Sequence, residues 1–290
     1  MVIDGITLEN MTDEELARDL EKISVYARVA PEHKIRIVNA WQAKGKIVGM
    51  SGDGVNDAPA LKQADIGIAM GITGSEVSKD AADMILTDDN FATIVKAVTV
   101  GRNIFTNIKN AIKYLLTGNT GAIFVVIATT LLAFFDTKYV VPFAAIQLLF
   151  INLVTDSLPA IAIGTEPGTD EVLKQAPRDP KEPILTRSTF TAILIEAGLI
   201  AIAVFIGYYI GINTGEGYAT TFAFLVLCLA RLFNGFSCRS DLPLTKIGLF
   251  TNKNTIIAFL IGIALVSIII FIPAIGSIFK VMTLSGAQIL

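Results

Sequence analysis

The chain of 290 residues has a formal net charge of -3, is 53% hydrophobic and contains one histidine and two cysteines. Near-balanced charge excludes the electrostatic footprint of a nucleic-acid binder, and Cys228 and Cys238 are too few for a disulfide framework or a zinc site, so both read as packing residues. The hydrophobic share exceeds what a soluble α/β protein needs, which places part of the chain in a membrane; the acidic, polar N-terminus is unlike a secretory leader, so membrane entry must come from internal spans.

In chain order, helical patterns over 12–23 and 31–44 alternate with short β-rich runs at 24–29, 46–50, 66–70 and 83–86. This alternation predicts a parallel sheet with helices on its faces. The run at 46–50 leads into SGDGVNDAP (51–59), where Asp53 and Asp57 bracket a tight turn that opens into a helix over 57–63, with Pro59 in its first turn. Carboxylates at the carboxyl end of a parallel strand sit where open α/β sheets bind ligands. An oxygen-rich loop there suits a hard ion such as Mg2+. A P-loop is excluded because no Gly-Lys-Ser/Thr follows, and an EF-hand loop because Val55 and Ala58 stand where a ligand and a glycine belong. An ordinary Asp-Gly turn with a helix-capping Asp is the plainer reading of the dipeptide alone.

The character of the chain changes near residue 103. Asn90 opens a long helical pattern to Leu116, carrying Arg102, Lys109 and Lys113, that predicts a stalk running into the first span. Five apolar stretches follow, at roughly 114–135, 143–163, 191–212, 219–237 and 255–275, each near the ~20 residues a spanning helix needs. The loop 165–188 holds Lys174, Arg178, Lys181 and Arg187, and the loop 239–253 holds Arg239, Lys246 and Lys253, whereas 136–141 and 213–218 hold only Lys138. The positive-inside rule puts the first two loops in the cytoplasm with the soluble domain, and five spans then leave the C-terminus outside.

Two spans carry polar groups that an anchor does not need. In QLLFINLVTDSLPA, Asn152, Thr155, Asp156 and Pro159 fall at i, i+3, i+4 and i+7, which predicts one shared helix face. Pro159 lacks the N–H that would bond the Thr155 carbonyl, freeing a backbone oxygen beside Asp156. A kinked helix with polar glue is the plainer alternative, but a midplane Asp costs roughly 2.5–3.5 kcal/mol on insertion scales. Broken helices at membrane depth line cavities or ion sites. The preceding span is expected to be interrupted in the same way at TGNTGA (117–122), where Asn119 adds an amide oxygen and Gly118 and Gly121 allow close approach.

SGDGVNDAPALKQADIGIAMG, TDDNFATIVKAVTVGRNIFTNIK and QLLFINLVTDSLPA resemble, in order and across essentially the whole chain, the hinge and core membrane motifs of the P-type cation-transporting ATPases, specifically the type II calcium pumps. The resemblance implies α/β plus transmembrane α architecture. Residues 1–103 would form the C-terminal part of a partial Rossmann-like, haloacid-dehalogenase-type phosphorylation domain with its hinge, and 104–290 a stalk and membrane helix bundle. It implies that an aspartate phosphorylated by ATP drives a cation across the membrane, with Mg2+ as cofactor, Ca2+ as the transported ion and ATP held by a nucleotide domain outside this sequence. By the same resemblance Asp53 is the Mg2+ ligand, Asp57 its neighbouring carboxylate, Asn56 a polar group around the phosphoryl site, and Lys34, in RVAPEHKIRIV, the lysine that neutralises phosphoryl oxygens. Asn119, Asn152, Thr155 and Asp156 are the expected ligands of the transported cation.

Departures from the family pattern carry their own expectations. The sequence holds no D-K-T-G-T, no T-G-E-S loop, no nucleotide-binding domain and no proline-broken span with its glutamate, and it ends one span short of the family's usual end. A C-terminal piece of a pump is therefore expected, with Met1 an internal methionine, a missing N-terminal part as partner and no ATP turnover by this piece alone. Ala122 stands where two-calcium pumps have a glutamate, and Arg231, in CLARLFNGF, where they have another. A permanently charged arginine in a span should replace a cation electrostatically, unless it snorkels to the nearby interface. Asn152 argues against sodium/potassium pumps, which have an aspartate there. The pattern resembles single-site calcium pumps, one ion per ATP with proton countertransport left open, in a multi-pass bacterial cell membrane with lipid around the spans. Two alternatives stay open: a non-catalytic membrane protein that kept a phosphatase-like regulatory module, and a pump for another cation such as Mn2+ or Na+.

Overall fold

A computed structural model describes residues 1–179 and 181–284. The chain divides into two compact units, Met1–Val98 and Thr99–Leu290. In the first, strand β1 (Val2–Asp4) leads into helix α1 (Gly5–Asn10), whose start Asp4 caps by accepting the Thr7 N–H at 2.9 Å. Helix α2 (Asp13–Asp19) opens on a reciprocal capping box: Thr12 Oγ1 accepts from the Glu15 N–H at 3.2 Å while Glu15 Oε2 accepts from the Thr12 N–H at 2.9 Å. Strand β2 (Val25–Ala27) pairs in parallel with β1, and Pro31 starts helix α3 (Pro31–Ala43). Ile3, Leu8, Leu16, Leu20 and Ile23 form the core beneath these elements, against Ile37 and Trp41 of α3.

Strands β3 (Gly49–Gly52), β4 (Ile66–Met70) and β5 (Met84–Leu86) form a second parallel sheet in that order, crossed over by helices α4 (Ala58–Gln63) and α5 (Glu76–Ala81). Parallel neighbours require such crossovers. The expected single run of parallel strands thus appears as two bonded groups, with β1 an addition. Strand β3 also begins three residues later than 46–50 suggests. Gly45 turns with φ +74°, Lys46 N–H still bonds back to the Trp41 carbonyl of α3, and Val48 N–H is taken by the Asp65 carboxylate at 2.8 Å.

Helix α6 (Phe91–Ala133) is a single element of 43 residues, and the second unit begins within it. The interruption expected at 117–122 is absent: the helix runs through it unbroken, and its glycines serve close packing instead. A Cβ on Gly118 would lie 2.8 Å from Arg231 Nε, and one on Gly121 3.1 Å from Ile200 Cγ2. Helix α7 (Ala145–Phe150) passes through a widened turn, Ile151–Thr155, into α8 (Ser157–Gly164). Helices α9 (Arg187–Thr214) and α10 (Tyr218–Ser237) form a hairpin so tight that a Cβ on Gly211 would meet the Tyr218 carbonyl at 2.6 Å. The short α11 (Leu244–Ile247) precedes α12 (Lys253–Phe271), and α13 (Pro273–Ile278) folds back so that Val281 and Leu284 enter the bundle core beside Phe150 and Phe224. Among the described residues, five helical segments are long and apolar enough to cross a membrane: Phe91–Ala133, Ala145–Gly164, Arg187–Thr214, Tyr218–Ser237 and Lys253–Phe271. On α9, Ile195, Leu199, Ile202 and Ile206 recur at helical spacing on an exposed face suited to lipid.

Candidate functional site

Two constellations of charge stand out, one in each unit. In the first, β3 ends at Gly52, where a Cβ would overlap that of Asp57 at 2.5 Å, so glycine lets the Asp57 side chain fold under the turn. Asp57 Oδ2 accepts the N–H groups of Asp53 and Gly54 at 3.3 and 3.2 Å, and Oδ1 accepts from Lys34 Nζ. Burial pushes the Asp57 carboxyl up, but the Lys34 hydrogen bond and charge with the two backbone N–H groups outweigh it and hold the carboxyl below the ordinary carboxylate value. Asp53 behaves differently. Its carbonyl is pinned by Ser75 N–H at 2.8 Å and Ser78 Oγ at 3.1 Å, while its exposed carboxylate has no protein partner among the described residues.

Lys34, Ser51, Asp53, Asp57, Thr73 and Asp89 line a cleft of about 510 Å³ at the ends of the strands. Asn56, on the turn Val55–Asp57, is exposed and does not line it. Asp89 is an addition to the expected set: at φ +50° it accepts the N–H groups of Ile72 and Thr73 at 2.9 and 2.8 Å, which lowers its carboxyl from the ordinary value. The signal for it is the acid pair Asp88–Asp89 just before α6. Among the described residues no group of three acid, histidine or cysteine side chains could hold a metal alone. Mg2+ is bound through one or two carboxylates with phosphate oxygens and water completing its shell. The unpartnered Asp53 carboxylate fits that donor set.

In the second unit, the widened turn changes the expected helix face. Asp156 N–H bonds to the Ile151 carbonyl at 2.9 Å, five residues back, so the helix holds an extra residue there. Thr155, Asp156 and Pro159 are buried, whereas Asn152 is rotated out and exposed, correcting the expectation that all four share a face. The Thr155 carbonyl freed by Pro159 accepts from Tyr114 Oη at 3.2 Å, and the Thr155 hydroxyl donates to the Ile151 carbonyl at 2.9 Å. Asp156 Oδ2 is paired with Arg231 Nη1, and Arg231 Nη2 donates to Asn119 Oδ1 at 3.0 Å. With 1% of its surface exposed, Arg231 is a buried charge and does not snorkel. Asn119, Ala122, Asn152 and Arg231 line one cavity of about 310 Å³, with Leu148 and Val126 among its apolar walls.

A further buried ion pair has no counterpart in the sequence reading. Arg239, 1% exposed, donates to both oxygens of Glu166, at 2.9 and 2.7 Å, and Asn252 Nδ2 reaches the same carboxylate at 2.7 Å. Arg239 lies in a basic loop, where its charge reads only as a topology signal.

A parallel-sheet unit with an acid-and-lysine cleft at its strand ends, joined in one chain to a bundle with a buried Asp beside a widened turn, defines an α/β and membrane-helix protein with the organisation of an ion-pumping ATPase. The family pattern described as cation transporting ATPase, C-terminus, matches residues 140–290, and the chain belongs to that family. Among its relatives are calcium-transporting ATPases of Listeria monocytogenes, 50% identical over 97% of this chain and 31% of the relative, and of Lactococcus lactis, 48% identical over the same shares. A calcium-transporting ATPase of Saccharomyces cerevisiae is 39% identical over 100% of this chain and 30% of its own length. The chain thus spans about a third of the curated relatives it matches.

Proposed function

We propose that this chain is part of an ATP-driven calcium pump, with residues 1–103 completing a cytoplasmic phosphorylation domain and 104–290 forming the stalk and five spans. The observation that carries the reading is Asp156, a carboxylate buried within a helical segment long and apolar enough to cross a membrane, beside a widened helical turn, where a charge is costly unless it has a task. Supporting it, the cleft of the first unit offers what phosphoryl transfer needs: Lys34 as a positive charge, Asp57 to hold that lysine and the Gly54 turn in place, and Asp53 open to a hydrated ion. When bound at Asp53, Mg2+ would neutralise phosphoryl oxygens. The nucleophilic aspartate and the nucleotide site belong to the remaining part of the pump, which is also the partner this reading requires.

For the transported ion, Asp156 supplies the charge, Asn119 and Asn152 amide oxygens, and Thr155 its hydroxyl. Calcium needs six to eight oxygens, so these groups complete at most one shell with help from the remaining part. Ala122 adds no ligand, and Arg231 already neutralises one carboxylate charge. One calcium per ATP follows, from the cytoplasm across a bacterial cell membrane, with a returning proton compatible with the balance of charge. Phosphorylation of a full-length pump carrying this segment tests the reading: calcium should be required for the phosphoenzyme, and Asp156→Ala should remove that requirement's fulfilment at any calcium concentration. Normal calcium accumulation by Asp156→Ala vesicles would refute it.

A further inference from the structure

Two buried ion pairs join α8 to α10, one at each end of the shorter helix. Asp156, at the start of α8, pairs with Arg231, and Glu166, two residues past the end of α8, pairs with Arg239, two residues past the end of α10. The partners occur in the same order along both helices, so the pairs are two rungs of one ladder, about 12–15 Å apart at the helical rise. Between the rungs the helices touch: a Cβ on Gly235 would lie 3.3 Å from Pro159 Cβ.

The rungs differ in how completely they are bonded. Arg239 Nε and Nη2 donate to the two oxygens of Glu166 at 2.9 and 2.7 Å; Nη2 also reaches Thr251 Oγ1 at 2.5 Å, and Nη1 the Gly248 and Leu249 carbonyls at 3.2 and 3.1 Å. All five guanidinium N–H groups are used. Asn252 adds a further bond to the carboxylate and one to the Ala162 carbonyl of α8 at 2.9 Å, while from α6 Asn107 and Asn110 hold the Glu166 and Arg239 carbonyls at 2.9 and 3.0 Å. The other rung is looser. Arg231 meets Asp156 through Oδ2 alone, Asp156 Oδ1 and Arg231 Nε have no hydrogen-bond partner among the described residues, and Arg231 lines a cavity with Asn119 and Asn152.

Asp156 travels with α8. Its carbonyl accepts the Ala160 N–H at 3.1 Å, whereas on its other side the widened turn breaks the regular bonding toward α7. Where the C-terminal end of α8 is held therefore sets where Asp156 stands. We propose that Arg239 and Glu166 are positioning residues, a fixed rung that keeps α8 in register with α10 while the Arg231–Asp156 rung exchanges its guanidinium for a transported cation. The proposal rests on the pump reading above. A forked pair with every donor engaged resists a competing cation, whereas a pair with spare donor and acceptor atoms beside a cavity is open to one. With the fixed rung closed, release of Arg231 lets the Asp156 carboxylate turn toward the cation without α8 sliding along α10.

Density maps of the full-length pump with and without calcium test the ladder directly. Glu166 should stay within hydrogen-bond distance of Arg239 Nε and Nη2 in both states, while Asp156 leaves Arg231 when calcium is bound. A Glu166–Arg239 pair that opens in either state, or an Arg231–Asp156 pair that stays closed with calcium bound, overturns the proposal. In the same pump Glu166→Gln should raise the calcium concentration for half-maximal phosphorylation about tenfold, the lower end of what losing a group that orients a metal ligand costs, with the maximal phosphoenzyme level per folded molecule unchanged. That variant leaves Arg239 buried without its counter-charge, so Arg239→Met/Glu166→Leu is the second arm: the apolar pair should restore stability in detergent and still show the tenfold shift. Wild-type calcium dependence in the apolar pair assigns the rung to stability alone and overturns the positioning role. A wild-type pump without calcium-dependent phosphorylation defeats the pump reading, and the exchange with it.

Discussion

Lys34–Asp57 beside Asp53 and Arg231–Asp156 beside Asn119 are built alike, each a cation paired to a carboxylate with a second oxygen group close by, yet their surroundings are opposite. Lys34 keeps 30% of its side-chain surface exposed, whereas Arg231 keeps 1%. Water screens the first pair and leaves the Asp53 carboxylate open to solvent; the second lies where desolvation makes either charge costly without the other. The first arrangement therefore suits repeated access by charged groups, and the second suits an exchange in which one cation replaces another.

The largest expected effect breaks the buried pair. Asp156→Ala in a full-length pump should abolish calcium-dependent phosphorylation, a loss of more than about hundredfold, because no amide dipole matches a carboxylate's attraction for a divalent ion in low dielectric. Stability should follow the same contrast. Arg231→Ala leaves a buried carboxylate alone and should cost about 3–5 kcal/mol in unfolding measurements in detergent, with Arg231→Met/Asp156→Asn recovering most of it. A loss below 1 kcal/mol would show that water reaches the pair.

In the exposed cleft, Asp53→Asn should lower Mg2+-dependent phosphorylation by roughly a hundredfold while leaving the folded unit as stable as before, since the Asp53 carboxylate bonds no protein group among the described residues. Normal phosphoenzyme in that variant would remove Asp53 from the metal site. Lys34→Met should move the Asp57 titration upward, since burial remains while the hydrogen bond and the charge that oppose it are gone. In the wild type the Asp57 carboxyl is depressed below 3.8, so its stabilisation is present above that value and is lost as pH falls through the lower folded value. Carboxyl NMR titration of both proteins checks the direction. The smallest effect is Asn119→Ala, which should raise the calcium needed for half-maximal phosphorylation several-fold without changing stoichiometry, because an amide contributes only a dipole. Equilibrium binding of radioactive calcium should reach one ion per phosphorylation site with a Hill coefficient near one, and two cooperative ions would overturn the roles given to Ala122 and Arg231.

Elements with a strong local pattern are legible in the sequence. Strand β4 occupies 66–70 as its apolar run predicts, and Pro31 marks the start of α3. Strand β1 is three residues long, and the Asp4-Gly5 pair that ends it is a turn signal too slight to mark so short a run. The site residues are legible as individuals because a charge or a proline in an apolar span is conspicuous. Their pairings are not: Arg231 meets Asp156 across 75 positions and Asn119 across 112, and Arg239 meets Glu166 across 73. Those distances in sequence are closed only by helix packing, which composition does not encode. The widened turn is equally hidden. It shifts one backbone hydrogen bond, and the visible hint, Pro159, predicts a freed carbonyl without predicting that Tyr114 takes it.

That turn at Ile151–Thr155 is a surplus of one residue in an otherwise regular rod. Deleting a single residue there should let the rod close into ordinary turns, and everything on its N-terminal side would swing by about 100° relative to Asp156, the angle of one helical step. Gln147, which now ties that end to the Phe279 carbonyl at 3.0 Å, would be carried away from it. The extra residue thus acts as slack in a drive shaft: it lets Gln147 stay moored to Phe279 on one side while Asp156 still faces Arg231 on the other.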